Sequence, residues 1–439
     1  MARVGAMGTE TFRGGRAAGP LSRTTRRPRR VTAAAVAVLV AGALSTCSSD
    51  SGGAAPTSST AIGADRTSTS GPPAVEETEP ERFAGSVADF YAVPDPLPRG
   101  RPGDLVRVQP VSDDGTTVVV RVMYHSRDVR DHDRAVTGTI AYPTGPAPDG
   151  GWPVVSWAHG TTGLSSACAP SRSGGPGPTF GVRGVAVATD YIGLGPIGER
   201  HPYLSGPSEA HSVIDAVRAA RDLPDAHAGT RWLAAGHSQG GHSALWTNEL
   251  GASYAPELDL LGTAVLAPAA ALDERFGPQD QVVPRMVEVM ALYGLAADHP
   301  EIIPRDYVGP QVAAADASID EGCADDVINA MAGTPAEDFY AHEPRRTEPA
   351  KSILAQNDPG HVAVEAPLLL LYGSSDAWVV PQQAEFLFRQ LCDVGQVTRA
   401  TEVQGATHDT ITSLASDEIG AWFAARLAGE EPPDTCPGG

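Results

Sequence analysis

Apolar and polar positions fall into short, regularly punctuated runs from about Leu105 onward. Residues 105–109 and 117–124 alternate as half-buried strands do, and 135–142, closed by Pro143, form a third strand candidate. Residues 152–158, 184–189, 232–235, 260–266 and 367–372 are brief, mostly apolar runs, as expected of strands covered on both faces. Residues 397–403 form a last strand candidate. Between these runs, 208–223 has helical periodicity, with Val213, Ile214, Val217, Ala220 and Leu223 on one face, and stops at Pro224. Residues 241–250, 384–391 and 410–427 also have a helical pattern. Strands alternating with helices predict the α/β class, with a mostly parallel, doubly wound sheet. The alternation lapses over about 268–363, a stretch interrupted by prolines that holds Met286, Met290, Met331 and Cys323. A structureless loop of that length is improbable in a compact domain, so an inserted helical cap is predicted. The plainer alternative is helical packing at the edge of one core.

The amino-terminal pattern is different. Eight arginines and one glutamate precede Val31, and an apolar run of about fourteen residues follows to Leu44. The run is too short to span a bilayer and fits the apolar region of a signal peptide. It ends in Leu44-Ser45-Thr46-Cys47, which resembles a bacterial lipobox and makes Cys47 a candidate for lipidation. A conventional secretory signal cleaved nearby is the other reading. Either way the protein is expected to be exported, to the extracellular space or to the outer face of a bacterial cell membrane. The predicted organisation is a signal peptide over 1–46, a flexible acidic tether rich in Ser, Thr, Gly and Pro over 47–82, and a folded domain over 83–439.

Charge then narrows the partners. The 439 residues include 53 acidic and 32 basic ones, for a net charge of −21. Without the arginine-rich segment before Val31 the remainder stands at −28. Such a surface excludes nucleic acid as a partner and disfavours adsorption to anionic lipid heads. Attachment to a membrane would therefore rest on Cys47. Besides Cys47 the chain has Cys168, Cys323, Cys392 and Cys436, an even set suited to two disulfides in an oxidising compartment, with three possible pairings. No CxxC or Cys/His cluster is present, and no cofactor or metal is expected.

The candidate chemistry converges on one serine. Gly236-His237-Ser238-Gln239-Gly240 lies after a buried strand and before a helical run. In that setting Gly-x-Ser-x-Gly is a sharp turn that raises the serine hydroxyl at the carboxyl end of a sheet. The N–H of Gln239, at the helix start, would face a developing oxyanion. A serine needs a base and a group that orients the base. In this architecture they follow in the order serine, acid, histidine. Asp376 lies just after the 367–372 strand, and His408 just after the 397–403 strand. His237 is too close to Ser238 in sequence to reach back and is expected to line the pocket or pack. His242 is expected to be structural. Asp409 and Asp393 are poorly placed as orienters. A second oxyanion donor is expected from the loop His159-Gly160-Thr161-Thr162-Gly163, and chemistry alone leaves open which threonine supplies it.

From about Asp89 to Cys436 the chain resembles the secretory lipase family, of fungal lipase A type with bacterial relatives. The resemblance rests on 155–163 running into Cys168-Ala169-Pro170-Ser171, on Thr189-Asp190-Tyr191 and Ser208-Glu209-Ala210, on 236–241, on Ser253-Tyr254-Ala255-Pro256-Glu257-Leu258, and on the contexts of Asp376 and His408. It implies an α/β-hydrolase fold, a helical cap, and hydrolysis of ester or lipid substrates through Ser238, Asp376 and His408. It places the second oxyanion donor at Thr162, where the fungal enzymes carry an aspartate. It implies pairing of Cys168 with Cys323 and of Cys392 with Cys436. An acyltransferase acting on envelope lipids or glycans, a serine peptidase of the same fold and a non-catalytic lipid-binding lipoprotein are the rival functions.

Overall fold

The computed structural model describes residues 79–272, Glu274 and residues 282–437. The signal segment, Cys47 and nearly all of the tether lie outside the described residues. Ten strands form one sheet: β1 (Glu81–Arg82), β2 (Leu105–Asp113), β3 (Thr117–Arg127), β4 (Asp133–Pro143), β5 (Trp152–Ala158), β6 (Val185–Thr189), β7 (Ala228–His237), β8 (Asp259–Leu266), β9 (Leu368–Gly373) and β10 (Thr398–Val403). Their order is β1-β2-β3-β4-β6-β5-β7-β8-β9-β10. Strands β2, β3, β4 and β6 pair antiparallel in turn, and from β6 to β10 all neighbours are parallel. This is the α/β-hydrolase fold.

From β5 the chain steps to β6 on one side and then to β7 on the other. That reversal opens a crevice beyond the carboxyl ends of β5 and β7, where ligands bind in doubly wound sheets. The central strands are apolar throughout because helices cover both faces: Trp232, Leu233, Ala234 and Ala235 of β7 have no exposed surface. The longer helices are α1 (Gly206–Asp222), α2 (Gln239–Tyr254), α3 (Val282–Asp298), α4 (Ala324–Met331), α5 (Ala350–Gln356), α6 (Pro381–Asp393) and α7 (Ser416–Ala428).

Three expectations are corrected. The sheet begins at Glu81, inside the stretch read as tether. Glu81 pairs with Arg107 in register, Glu81 Oε2 lies 3.1 Å from Arg107 Nε, and the Phe83 N–H continues the ladder to Val108. A two-residue polar strand leaves no periodic signal. Strand β3 is buried on both faces rather than one. Its Arg121 is covered by the loop after β5, donating to the Ser171 carbonyl at 2.9 Å and to Gln109. The 410–427 helix is two helices, Ile411–Leu414 and α7, joined at Ala415.

Between β8 and β9 lies an insertion with an apolar cluster of its own. Met290, Leu292, Leu295, Ile319, Val327 and Phe339 pack there against Leu164, Tyr203 and Leu204 of the sheet domain. The Cys168–Cys323 disulfide joins the insertion to the loop after β5, and the Ala324 N–H donates to the Thr162 carbonyl at 2.9 Å. Asp298, ending α3, accepts from the hydroxyls of Ser205 and Ser208 at 2.6 and 2.7 Å. The second disulfide, Cys392–Cys436, ties α6 to the carboxyl-terminal segment, where the Thr435 N–H donates to Thr398 of β10.

Candidate active site

Backbone crowding sets the geometry at Ser238. A Cβ on Gly236 would lie 1.9 Å from the Gly240 carbonyl, and one on Gly240 would lie 1.9 Å from the carbonyl of Ala158 in β5. Only glycine fits at either place. Ser238 between them has φ 59° and ψ −118°, a conformation that non-glycine residues rarely adopt. Hydrogen bonds hold it there. Its N–H donates to Leu266 at 2.9 Å, and its carbonyl accepts from His242 at 3.1 Å and Ala269 at 3.0 Å. Gln239 opens α2, so its N–H has no acceptor within the helix.

Two further strand ends bring the polar partners. The loops after β9 and β10 are tied by Ser374 N–H to Val403 and Ser375 N–H to Ala406, at 3.1 and 3.0 Å. His408 Nε2 lies 2.8 Å from Ser238 Oγ, and His408 Nδ1 lies 2.8 Å from Asp376 Oδ2. The other carboxylate oxygen of Asp376 accepts the N–H groups of Trp378 and Val379 at 2.8 and 3.0 Å. With Asp376 as acceptor, Nδ1 carries the proton and Nε2 is free to accept from the serine hydroxyl. Ser238, His408 and Asp376, far apart in the chain, thus form one hydrogen-bonded line.

The surroundings restrict charge near His408. The rings of His237 and Trp378 lie 4.6 and 4.8 Å from its centre. Burial, with His408 as a like-charge neighbour, pushes His237 down to about 4, so His237 is neutral near pH 7. Of the loop after β5, Gly160 lies against the serine: a Cβ there would be 3.6 Å from Ser238 Cβ. Thr161 Oγ1 pairs with the Tyr203 hydroxyl at 2.7 Å, while Thr162 Oγ1 is buried without a partner. Beside Ser238 and His408 a cavity of about 100 Å³ is lined by Ala271, Leu272, Val287 and Trp378. Among the described residues no cluster of His, Cys, Asp or Glu could hold a metal ion.

Comparison with known proteins places the chain in a family and a fold. The model of one family, described as secretory lipase, matches residues 181–435, more than half of the chain. The chain belongs to the secretory lipase family. Among curated relatives, a probable inactive lipase of Mycobacterium tuberculosis is 22% identical over 372 residues, covering 77% of this chain and 80% of that protein. Lipase A of Moesziomyces aphidis is 28% identical over 67 residues, covering 15% of this chain and 14% of that protein. Two solved structures share the fold. The rice cell wall degrading esterase LipA from Xanthomonas oryzae has a TM-score of 0.63 at 20% identity, covering 76% of this chain and 100% of that one. Candida antarctica lipase A has a TM-score of 0.64 at 17% identity, covering 80% and 89%.

In this member of the secretory lipase family, the parts that two residues play around Ser238 escaped sequence reasoning. Trp378 carries no motif, and only the fold of the Asp376 turn sets it on His408. Glu209 is the second. Its carboxylate is fully buried and accepts from the Leu204 N–H at 3.0 Å and from Gln239 Nε2 at 2.8 Å, and it meets His242 Nδ1 at 2.9 Å. His242 Nε2 in turn donates to the Asn357 carbonyl at 2.8 Å. Burial pushes His201 down to about 4, so its Nε2 stays free to accept the second Gln239 Nε2–H at 2.6 Å. Glu209 thereby pins the first turn of α2 to α1 and to the insertion. Ser208-Glu209-Ala210 stood out in the sequence as a family motif, but a glutamate at the start of an amphipathic helix reads equally as a solvated end, and nothing local pointed to Gln239 or His242.

Proposed function

We propose that this chain is an exported serine hydrolase that cleaves carboxylic esters through Ser238, His408 and Asp376. The observation that carries this reading is the line of 2.8 Å contacts from Asp376 through His408 to Ser238, ending at a cavity of mixed apolar and charged lining. His408 takes the Ser238 proton as the hydroxyl attacks the ester carbonyl, then gives that proton to the leaving alcohol. A water molecule, deprotonated by His408, releases the acid from the acyl-enzyme. Asp376 holds the imidazole in the required tautomer and faces the positive charge that develops. The N–H groups of Gln239 and Thr162 are assigned to the oxyanion. Losing one such donor typically raises a barrier by about 2.7–4 kcal/mol. The insertion serves as the cap over the acyl chain and keeps bulk water from the reacting carbonyl.

Family membership and two disulfides support an oxidising, extracytoplasmic site of action. Cys47 is assigned as the lipid attachment point. The name of the mycobacterial relative favours one rival, a catalytically silent lipid-binding protein. Labelling with a fluorophosphonate, located by mass spectrometry, separates the two. An adduct on Ser238 together with p-nitrophenyl butanoate turnover is expected, and an unlabelled, inert but folded protein would establish the rival.

A further inference from the structure

The cavity beside Ser238 reaches into the insertion at Val283, Pro284 and Val287. A second cavity, of about 40 Å³, lies behind it, lined by Leu204, Ala291, Pro344 and Leu354. Both cavities are also lined by Leu272, Val287, Glu288 and Arg345, so these four residues form the wall between them. The wall is polar at its centre. Arg345 Nη2 lies 2.9 Å from Glu288 Oε1, and the two side chains are only 16% and 13% exposed. Each partner is also held from outside the pair. Arg345 Nε donates to the Leu272 carbonyl at 2.9 Å, and the Tyr340 hydroxyl donates to Glu288 Oε2.

An alkyl chain entering past Ser238 meets this pair after the first cavity. To go farther it must push apart a mostly buried carboxylate and guanidinium. The return is burial of the one or two small groups that about 40 Å³ can hold. Breaking a buried pair is far more unfavourable than burying one or two methylenes is favourable. The pair therefore wins. Building on the ester-hydrolase reading above, we infer that the Glu288–Arg345 pair is a fixed partition that ends the acyl site and makes short-chain esters the substrates of Ser238. Neither residue touches the reacting atoms, so both act on specificity alone.

The test compares initial rates on p-nitrophenyl butanoate and octanoate for the wild type and E288L/R345L. Replacing both partners avoids stranding one charge. The wild type is expected to favour butanoate. The double variant is expected to keep butanoate turnover and to raise the octanoate-to-butanoate ratio about tenfold to a hundredfold, the usual worth of methylenes in a pocket. Adding Ala291→Val, which narrows the second cavity, should bring the ratio back. If the leucine pair prevents folding, E288Q/R345M keeps an acceptor for Tyr340 and serves the same comparison. An unchanged ratio in a double variant that still cleaves butanoate overturns the partition, as does a wild type that cleaves both esters equally. Failure of the hydrolase reading looks different: no variant, wild type included, would turn over butanoate or form a fluorophosphonate adduct.

Discussion

In the parallel half of the sheet, the groups around Ser238 are placed by backbone. Gly236, Gly240 and Ala158 approach so closely that no side chain could intervene, and four strand ends supply Gly160, Ser238, Asp376 and His408. In the insertion between β8 and β9, the surface facing the same cavity is set by long side chains that reach one another, Glu288 to Arg345 and Tyr340 to Glu288. The first arrangement has almost no freedom to change without unfolding. The second can be altered pair by pair. On the proposed function the contrast divides the labour: the sheet would fix which bond is attacked, and the insertion what reaches it.

The sharpest way to break this division is at the serine. Ser238→Ala is expected to lower p-nitrophenyl butanoate turnover by about 10⁶-fold, on the scale of other serine triads, with the melting temperature nearly unchanged. Asp376→Asn should follow at about 10⁴-fold, because an amide facing Nδ1 favours the wrong tautomer of His408. Both losses should be indifferent to acyl length. If either variant instead altered the ratio between long and short esters, chemistry and selection would not be separable in the way proposed.

The legibility of the sequence follows the same line. Buried strands of five to ten residues, the paired glycines and the strand-to-helix turn are local patterns, and they are enough to single out Ser238, Asp376 and His408 along the chain. Trp378, Glu209 and the Glu288–Arg345 pair were illegible because each depends on contacts between distant segments. Glu288 and Arg345 lie 57 positions apart, one in α3 and the other in a single turn, so no period relates them. The loop after β5 was half legible. Its place beside the serine could be read, but the chemistry left open which of its N–H groups donates, and Thr162 enters as donor through the family resemblance.

A moderate effect is expected from the link between the two regions. Cys168→Ser with Cys323→Ser releases the insertion from the loop that carries Thr162. Removing a native disulfide from a secreted domain typically costs about 2–5 kcal/mol, to be read as a lowered denaturant midpoint. Since Ala324 still bonds Thr162, turnover at low temperature should survive better than stability does. An equal loss of both would mean that the insertion also sets the oxyanion geometry.

The pH dependence of folding probes a buried histidine on the sheet side. His201 is fully buried and titrates at about 4, against about 6.5 in an unfolded chain. Between those values the unfolded state binds the additional proton. Stability is therefore present in full above pH 6.5 and is lost as pH falls toward 4, by on the order of 3 kcal/mol for this group. His237 acts in the same direction. Buried Asp215, pushed up to about 6, acts in the opposite direction over the same range, so the readout is a difference: in urea titrations from pH 7 to 4, His201→Asn should lose less stability than the wild type. An equal change in that variant would remove His201 as a source.

The smallest effect should come from Trp378, which belongs to the sheet by its backbone and to the cavity by its ring. Its indole lies 4.8 Å from the His408 ring and is about 39% exposed. In the proposed mechanism His408 takes the serine proton and becomes a cation beside that ring. A cation near an indole is stabilised by about 0.5–1 kcal/mol at an exposed site and by up to about 2 when water is excluded. Trp378→Ala should then lower kcat/KM only about twofold to thirtyfold, and Trp378→Phe should recover much of it because a ring face remains. A purely steric role predicts something else. Alanine would widen the cavity mouth, so KM for bulky esters would change while kcat on butanoate stayed constant. A fall in kcat that phenylalanine rescues places Trp378 with the chemistry, and a change confined to KM places it with the insertion.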